Sequence, residues 1–353
     1  MKLIYYLRKL EDAPILWVYP EDIVYKSYID RYTKIDLSGD FDRLGWLITE
    51  TATYKAFSDR LNGIPWSETE LYTIGVEKKR HWLGRLNYWN KMLFDIVENG
   101  YTHRPIVKPI DNYISVLIGR DGDIIFHNGI HRLCAAKLSK VRKKIPVKLI
   151  IRHAEWTDFR NKVFEFRNKN PRKQLYCQVP HPDLDQIKYL WGNDRADWIE
   201  KYSLYPKGNL VDIGVNWGTV SYTLAQKGFK VTAIENHPTP WEFLKKVVKF
   251  PGKQFSIAKR DFTRMKITAD TLVALNIAHH FMKDESKRKK FVQFLNNLNV
   301  KEIFCQIHGW TGKIATQISP EETIKLIMEN TGMTNSQHLT TINHRPLYHL
   351  WKL

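Results

Sequence analysis

The chain has 353 residues, 43% of them hydrophobic and 13% aromatic, which excludes a mainly disordered protein and allows two hydrophobic cores. Lys and Arg number 55 against 37 Asp and Glu, so the formal net charge is +18, and that charge attracts polyanions such as nucleic acid or anionic glycans. The basic residues are spread along the chain without a long basic tail, so a solvated, lysine-rich surface is the alternative.

The cysteines and the N-terminal segment bear on the compartment. Cys134, Cys177 and Cys305 stand far apart and form neither a disulfide framework nor a CxxC metal site, which favours a reducing compartment and no metal. The first residues lack an apolar core followed by a small-residue cleavage site, and no apolar run of about 18 residues occurs elsewhere. We therefore expect a cytoplasmic protein without a membrane span.

In chain order, the first half opens with helical and irregular segments, including 44–63 and 78–100. The residues Arg120-Asp121-Gly122 then predict a turn between two β-rich runs. After Gly129 the apolar residues recur at helical spacing, so a helix is expected to begin there, and a strand is expected at 145–151. This mixture of elements predicts an α+β domain over 1–160.

The segment 161–193 differs in composition from its surroundings. It is rich in Asn, Pro and basic residues and shows no long periodicity, which is typical of an interdomain connection containing a short helix. We therefore predict a linker over 161–193 and a second domain over 194–353.

Strand and helix patterns alternate through the second half, which predicts a parallel sheet with helices on both faces. The expected strands are 209–214, 230–235, 254–258, 271–276 and 302–308, and the expected helices are 219–227, 240–248, 283–298 and 320–330. The last two segments, "QHLTTIN" and "RPLYHLWKL", follow each other after a short turn, as an antiparallel pair would.

The stretch "LVDIGVNWGTVS" lies where the first of these strands meets its helix. In such sheets this corner binds ligands, because the helix begins with unpaired backbone N–H groups. Only Gly214 and Gly218 are present, not GxGxxG, and Asp212 precedes them. A fixed carboxylate repels a pyrophosphate and attracts an ammonium or sulfonium group, so we expect a cationic ligand without phosphates.

The same stretch resembles motif I of class I S-adenosylmethionine-dependent methyltransferases, usually E/DxGxGxG. Asn216 stands at the middle glycine, a variant also found in FkbM-like sugar O-methyltransferases. The resemblance implies that Asp212, Gly214, Asn216 and Gly218 hold S-adenosylmethionine. Trp217 is then expected either to line the acceptor pocket or to pack beneath the loop.

Three later positions extend the resemblance. Glu235 ends the second predicted strand, where a carboxylate can accept hydrogen bonds from both ribose hydroxyls. Asp261 follows the third strand, where the family places an acid near the adenine amino group. The stretch "LVALNIAHHF" resembles the fourth-strand motif, which implies that Asn276 and His279 lie at the mouth of the site.

Methyl transfer is an in-line displacement that needs a positioned nucleophile and, for some acceptors, a base. His279 and His280 are the predicted catalytic residues because histidine titrates near neutrality, and the alternative is that one of them packs at the strand end. His308 is a third candidate. The NPPY-type motif of amino-directed DNA methyltransferases is absent, which disfavours methylation of DNA bases.

In the first half, "RDGDIIFHNGIHRLCAAKL" resembles the ParB/sulfiredoxin superfamily, in which a glycine and polar or basic residues open a helix that points at nucleotide phosphates. The resemblance implies that Gly129, His131 and Arg132 bind a nucleotide such as ATP, or a phosphate group. Ile130 stands where sulfiredoxins carry their catalytic cysteine, so that activity is not expected. The alternative is a structural helix start with Arg132 paired to a carboxylate.

Together these patterns predict an α/β protein: a ParB/sulfiredoxin-like α+β domain, followed by a Rossmann-like seven-stranded methyltransferase sheet with a terminal antiparallel hairpin. The predicted function is S-adenosylmethionine-dependent O- or N-methylation of a small-molecule, glycan or other anionic acceptor. The alternatives are a nucleic-acid-binding ParB-like protein and a nucleotide-dependent phosphotransferase. Acids at the ends of three successive strands favour the methyltransferase.

Overall fold

The computed structural model describes residues 4–5, 13–27, 35–43, 45–78, 80–102, 113–252, 254–308 and 318–352. The chain divides into an N-terminal unit, Met1–Phe166 with His181–Asp183, and a C-terminal unit, Arg167–Pro180 with Leu184–Leu353. Residues of the predicted linker, 161–193, belong to both units. Residues 44 and 79, which fall in the two helical segments expected near the N-terminus, lie outside the described residues.

The N-terminal unit is built on a mixed sheet with the strand order β2-β8-β6-β7-β3-β5, and a separate antiparallel pair joins β1 to β4. Its strands are β1 (Ile4–Tyr5), β2 (Ile15–Val18), β3 (Tyr25–Ser27), β4 (Ile35–Asp36), β5 (Gly45–Leu47), β6 (Ile114–Ile118), β7 (Ile124–Asn128) and β8 (Ile145–Arg152). Its helices are α1 (Ala52–Leu61), α2 (Glu70–Glu77), α3 (Leu86–Asn99), α4 (Ile130–Lys137) and α5 (Ala154–Lys169), of which α5 runs past the division between the units.

The predicted turn, helix and strand of this unit are confirmed. Strands β6 and β7 pair antiparallel, and the turn between them closes with the N–H of Gly122 donating to the carbonyl of Gly119 at 3.2 Å. Gly122 has φ +92°, in the left-handed region that favours glycine. Helix α4 then begins directly after Gly129, and β8 returns parallel to β6.

The buried Asp183 joins the segment His181–Asp183 to the rest of the N-terminal unit. Arg152 binds it through two hydrogen bonds of 2.8 and 2.6 Å, and the indole N–H of Trp156 donates to it at 2.9 Å. Burial alone would raise the pKa of this carboxyl, but the hydrogen bonds and charge of Arg152 outweigh burial and hold the pKa below its usual value. Asp183 therefore stays ionised, and its charge is balanced inside the fold.

The C-terminal unit contains a seven-stranded sheet with the order β13-β12-β11-β14-β15-β17-β16. Strands β11 to β15 pair in parallel, and β17 pairs antiparallel with both β15 and β16. The strands of this sheet are β11 (Asn209–Ile213), β12 (Lys230–Ile234), β13 (Ser256–Ala258), β14 (Ile267–Leu275), β15 (Leu298–Gln306), β16 (Asn335–Ile342) and β17 (Arg345–Trp351). A separate parallel pair is formed by β9 (Leu175–Cys177) and β10 (Tyr189–Trp191). The helices are α6 (Asp194–Tyr202), α7 (Thr219–Gln226), α8 (Pro238–Val247), α9 (Glu285–Asn296) and α10 (Pro320–Thr331).

The mixed α/β architecture expected for this half is confirmed, and the expected strands and helices match the observed ones within a few residues at their ends. The central strands are apolar and buried, as strands of a parallel sheet covered on both faces must be. Helix α10 shows why boundaries could be predicted: Ser319 and Glu322 form a capping box at its start, and Gly332 ends it with φ +68°. None of the helices in the described ranges is both long and apolar enough to cross a membrane.

Glu302, at the middle of β15, is the most heavily hydrogen-bonded acid of this sheet. Its carboxylate accepts from Ser203 Oγ at 2.5 Å, Leu204 N at 3.0 Å, Thr271 Oγ1 at 2.6 Å and His349 Nε2 at 2.8 Å. Burial alone would raise the pKa of Glu302, but the hydrogen bonds led by that of His349 outweigh burial and lower it. One side chain therefore fastens β15 to β14, to β17 and to the segment after α6.

Replacing Glu302 should destabilise the C-terminal unit. Glu302→Gln puts an amide where four donors converge, so we expect the free energy of unfolding in urea to fall by about 2–4 kcal/mol at neutral pH. The lowered pKa of Glu302 also predicts how this stabilisation depends on pH. It is fully present above the unfolded pKa, near 4.5, and is lost as the pH falls further. The matched control is Glu329→Gln on α10, whose exposed pair with Lys325 spans 3.9 Å and should contribute less than about 0.5 kcal/mol. Equal effects of the two variants would contradict this account.

Candidate functional site

The candidate site lies at the carboxyl ends of the parallel strands of the C-terminal unit. Strands β11, β12, β14 and β15 all end at this edge because they run in the same direction. In open α/β sheets this edge is where ligands bind, because the loops that leave the strands meet there. Each predicted cofactor or catalytic residue of this half lies on a strand or loop that leads to this edge.

The loop between β11 and α7 is a tight turn that its glycines make possible. Gly214 has φ +63°, and its N–H donates to the carbonyl of Ile234 at 2.8 Å. A Cβ atom on Gly214 would lie 2.2 Å from Ile277 Cδ1, and one on Gly218, which has φ +79°, would lie 2.5 Å from Leu244 Cδ1. Both positions therefore favour glycine because of their positive φ, and a side chain there would also displace the ends of Ile277 and Leu244.

Asn216 and Trp217, the two departures from the family pattern, stabilise the loop. Asn216 has φ +57°, which asparagine tolerates better than most residues, and its Oδ1 accepts from the N–H of Trp217 at 2.9 Å. The Trp217 side chain is 2% exposed and stacks on Phe243 of α8, with ring centroids 4.0 Å apart and an interplanar angle of 12°. Of the two expected roles, packing beneath the loop is the one that the structure has.

Asp212 lies near the end of β11 and is buried. Ser221 of α7 donates to its Oδ2 at 2.6 Å. Burial raises the pKa of Asp212 to about 7, because the hydrogen bond from Ser221 and the positive charge of Arg195 offset the loss of solvation only in part. The raised pKa favours the protonated carboxyl in the free protein, and a cation bound nearby would favour the ionised form.

Glu235, directly after β12, holds the loop from the other side. Its Oε2 accepts from the N–H of Asn216 at 2.9 Å, and its Oε1 accepts from the N–H groups of Asn236 at 2.9 Å and His237 at 2.8 Å. A carboxylate offers about four lone-pair positions, so three of them are used by backbone groups. Glu235 thus links the glycine loop to the start of α8 and keeps one acceptor position for a ligand.

Asp261 has a more local environment than the other two acids. Its Oδ1 accepts from the N–H of Thr263 at 3.0 Å and from Thr263 Oγ1 at 2.7 Å, so it caps the short helical turn Phe262–Arg264. Its side chain is 43% exposed. The predicted contact of Asp261 with adenine stays a prediction.

Asn276 and His279 are buried at this edge with polar atoms that lack partners. Asn276 has φ +60° and donates its N–H to the carbonyl of Gln306 at 2.9 Å. Within the described residues, neither Asn276 Oδ1 nor His279 Nδ1 has a hydrogen-bond partner. Leaving such buried atoms unpaired costs about 1–3 kcal/mol each, so both atoms need a hydrogen-bond partner, water or a ligand, that the described residues do not supply.

The three histidines predicted as candidates come together. The ring of His279 lies 4.1 Å from that of His280 and 5.4 Å from that of His308, measured between centroids. Burial, followed by the charges of His280 and Arg345, lowers the pKa of His279 to about 3, and burial and Lys283 also lower the pKa of His280. His279 is therefore neutral at physiological pH and has a free ring nitrogen in the described structure.

Sequence reasoning missed three residues of this edge: Trp191, Arg195 and Arg345. The guanidinium carbon of Arg195 lies 5.0 Å from the centroid of the Trp191 ring, and that of Arg345 lies 4.8 Å from the same centroid. Arg195 Nη1 also donates to Gln306 Oε1, at the end of β15, at 3.3 Å. Trp191 falls in the segment predicted as a linker, and the only available signal was an aromatic residue in an otherwise polar stretch.

The predicted phosphate-binding residues lie in the N-terminal unit and adopt different environments. Gly129, with φ +98°, precedes α4, and Arg132 lines a cavity of 430 Å³ together with Lys91 and Tyr101. Arg132 hydrogen-bonds to Tyr101, and its buried Nη1 has no partner in the described ranges. Gly129 lets this side chain come close, since a Cβ there would lie 3.0 Å from Arg132 Nη2.

His131 does not supply the positive charge that the sequence led us to expect. Its ring stacks on Trp89 with centroids 3.8 Å apart and an interplanar angle of 25°. Burial and the neighbouring charges of Arg132 and Arg85 lower the pKa of His131 to about 4, so the ring is neutral at physiological pH. It is an aromatic packing residue, and Arg132 is left as the charged member of the predicted trio.

Comparison with known proteins gives a fold-level likeness. No family model matches the sequence, and neither does any curated protein. Among solved structures, magnesium protoporphyrin IX methyltransferase from Synechocystis PCC 6803 with bound S-adenosylmethionine is 16% identical, over 45% of this chain and 77% of that one, with a TM-score of 0.38. The bifunctional kinase-methyltransferase WbdD is 14% identical, over 53% and 46%, at 0.42, and an O-methyltransferase family protein from Burkholderia thailandensis is 8% identical, over 45% and 55%, at 0.37.

These structural neighbours are methyltransferases, and they cover about half of the chain. At such identities the function has to be argued from the chain's own residues. Those residues form a seven-stranded sheet of mixed strand direction. At one edge of it lie a loop with two glycines, two buried acids, and buried polar atoms without a hydrogen-bond partner in the described ranges. The likeness to a ParB/sulfiredoxin domain in the first half stays a prediction.

The raised pKa of Asp212 predicts an unusual pH dependence. Because the fold prefers the protonated carboxyl, its contribution to stability is fully present below the unfolded pKa of 3.8 and is lost as the pH rises through about 7. Asp212→Asn keeps the shape and does not titrate, so its stability relative to wild type should increase by about 2–3 kcal/mol between about pH 5 and pH 9. Urea unfolding at several pH values measures this.

Asp270→Asn is the control for that measurement. Asp270 pairs with Lys301 at 2.8 Å, and its pKa is lowered, so it is fully ionised over the same range. Its stability difference from wild type should not change between about pH 5 and pH 9. A constant difference for Asp212→Asn as well would show that Asp212 ionises normally.

Proposed function

We propose that the C-terminal unit binds S-adenosylmethionine at the loop Gly214–Gly218 and transfers its methyl group to an oxygen or nitrogen of an acceptor near His279. The observation that carries the proposal is the combination of two buried acids around a tight loop with a glycine of positive φ at each end, Gly214 and Gly218. Asp212 and Glu235 favour a ligand with positive charge and oppose one with phosphates. The fold-level likeness to methyltransferases agrees with this direction.

The donor set fits this cofactor. Glu235 keeps one acceptor position, which suits a ribose hydroxyl, and Asn276 Oδ1 is a buried acceptor that an ammonium or amino group would satisfy. Asp212 would be driven towards its ionised form by a nearby cation. When bound, S-adenosylmethionine supplies a methyl group on a sulfonium sulfur that a nucleophile can attack in line.

His279 is the candidate general base. Its ring is neutral and one nitrogen has no partner in the described structure, so it can accept a proton from an acceptor hydroxyl or amine. With a pKa of about 3 the ring is a weak base as it stands, so an acceptor that brings negative charge would strengthen it. His280, which is exposed, and His308 are the alternatives that touch the same ring.

Calorimetry with purified protein tests the proposal directly. S-adenosylmethionine should bind the wild type, and Asp212→Asn or Glu235→Gln should weaken binding about 10- to 100-fold, because each removes a charged partner. Glu329→Gln, on the exposed face of α10, should leave the affinity unchanged. His279→Asn should retain cofactor binding and lose methyl transfer to fractionated cell extract.

The outcomes separate the readings. A wild-type protein that binds neither S-adenosylmethionine nor S-adenosylhomocysteine would end the methyltransferase proposal. Nucleic-acid binding that falls steeply with salt and exceeds heparin binding would support the alternative based on the +18 charge.

A second candidate function concerns the N-terminal unit, where a nucleotide or another phosphate compound would bind. The observation that favours it is the buried Nη1 of Arg132, which has no hydrogen-bond partner among the described residues. Arg132 lies on the wall of a 430 Å³ cavity that Lys91 also lines. Asp95 on the same wall opposes an anion, so the net preference depends on the two cations.

This second site has its own experiment. ATP or inorganic phosphate should bind with an affinity that Arg132→Gln lowers at least about 10-fold, because a guanidinium forms charge-assisted hydrogen bonds with phosphate oxygens. Arg142→Gln, an exposed residue of the same unit, is the charge-matched control. Binding of S-adenosylmethionine should be the same in all three proteins, and phosphate binding that Arg132→Gln leaves intact would place it elsewhere.

A further inference from the structure

We infer that the methyl acceptor carries an oxyanion, a carboxylate or a phosphate, which binds to Arg195 and Arg345 beside Trp191. The inference rests on the proposed function, because it names the class of acceptor for the same edge of the sheet.

The two guanidinium groups approach one aromatic ring from different elements. Arg195 lies in the first turn of α6, Arg345 begins β17, and Trp191 ends β10. Their guanidinium carbons are 5.0 and 4.8 Å from the Trp191 centroid, within the range of a cation–π contact. Two positive charges are thus gathered at one place, although like charges repel.

Arg195 and Arg345 lie at the same edge of the sheet as the candidate site. Arg195 contacts Gln306, the last residue of β15, and the carbonyl of Gln306 accepts the N–H of Asn276 at 2.9 Å. The residue after Arg345 accepts the N–H of Ile307 at 3.1 Å. The arginines therefore stand at the carboxyl ends of β14 and β15, the same ends from which Asn276, His279 and His308 project.

Neither arginine has a carboxylate partner: Arg195 is buried without one, and the partly buried Arg345 hydrogen-bonds to Tyr176. Over the described residues, no carboxylate lies within 4.0 Å of Arg195 or Arg345. Arg195 is 4% exposed, its Nη groups make only two hydrogen bonds, both 3.3 Å long, and its Nε has no partner there. Burial consequently lowers the pKa of Arg195, against the weaker opposing charges of its neighbours.

Two other arginines of the chain show what a satisfied site looks like. Arg120 binds Asp42 at 2.8 Å and Arg152 binds Asp183 at 2.6 Å, each with a bidentate carboxylate, although their side chains are 14% and 24% exposed. Arg195 is more buried than either and lacks the acid. A charge in this condition costs several kcal/mol unless a ligand completes its coordination, and a carboxylate or phosphate matches the guanidinium fork.

No carboxylate replaces that ligand. Asp194 and then Asp212 act on Arg195 through their charges, after Cys177 and Tyr176, and neither carboxylate forms an ion pair with it. Burial raises the pKa of Asp212 to about 7, which reduces its negative charge at neutral pH. Much of the positive charge therefore remains uncompensated in the free protein.

An oxyanion here would also act on the candidate base. The charged groups that lower the pKa of His279 are His280, Arg345, His308 and Lys283, after burial itself. A bound carboxylate or phosphate beside Arg345 would offset their charge and raise the basicity of the ring. Binding of the acceptor would thus prepare the base that accepts its proton.

Anion binding can be measured without knowing the acceptor. The probes are acetate and inorganic phosphate, titrated at low ionic strength into the full chain saturated with S-adenosylhomocysteine, with the shift of the thermal midpoint as the readout. Every protein compared, including the reference called wild type in this experiment, carries Arg132→Gln, so that the cavity of the N-terminal unit does not contribute phosphate binding. We expect saturable stabilisation by at least one probe, and the stronger probe indicates whether the acceptor carries a carboxylate or a phosphate. Arg345→Gln and Arg195→Gln should each weaken binding at least about 10-fold, and Arg345→Lys should restore part of it.

The controls separate this site from general charge and from the cofactor. Arg172→Gln, an exposed residue of the same unit, removes the same charge and should leave anion binding unchanged. S-adenosylhomocysteine affinity should be equal in wild type, Arg345→Gln and Arg172→Gln, so a failure of cofactor binding is seen separately from a failure of anion binding. If Arg195→Gln does not fold, Arg345→Gln carries the test alone.

Two results would overturn the inference. One is an absence of saturable binding of either anion to the wild type. The other is an equal loss in Arg345→Gln and Arg172→Gln, which would assign the binding to overall charge.

Discussion

The C-terminal unit depends on the carboxylate of Glu235 and the three backbone N–H groups that it accepts. These groups belong to the glycine loop on one side and to the start of α8 on the other. One charged acceptor therefore fixes the two segments that any ligand at the end of β11 would meet. The glycine turn, the Trp217 stack and the beginning of α7 all follow from where this acceptor holds the chain.

Along β15 the buried polar groups change character between the middle of the strand and its carboxyl end. At the middle, Glu302 is saturated by four donors and binds the sheet together. At the carboxyl end, Gln306 touches Arg195 through a single long contact, and Asn276 beside it has an unpaired oxygen in the described structure. The acid that binds the sheet together is thus separated from the candidate site by several residues of the same strand, so a substitution at Glu302 need not disturb that site.

Much of this architecture could be predicted because it depends on patterns of residues that are close in the sequence. The alternation of strands and helices, the caps of α10 and the turn at Gly122 depend on neighbours in sequence. The positions of Asp212 and Glu235 followed from the strand ends. The spatial proximity of residues that are distant in the sequence could not be predicted. The examples are Trp191 from the predicted linker, Arg195 from a helix start and Arg345 from a hairpin, which no sequence motif connects. The charge of His131 could not be predicted for a related reason. Burial, followed by the charges of Arg132 and Arg85, lowers its pKa, and the stack on Trp89 that helps to bury it joins residues far apart in the sequence.

The stacking of Trp217 on Phe243 has a consequence for how a ligand would be received. An indole that is 2% exposed anchors the loop, and lifting it would cost about 3 kcal/mol or more in lost packing. The loop is therefore ordered before any ligand arrives, and the entropy of ordering it is a cost of folding and not of association. This side of the site is a preorganised template, so affinity gained there should show as a slow dissociation and not as a conformational step.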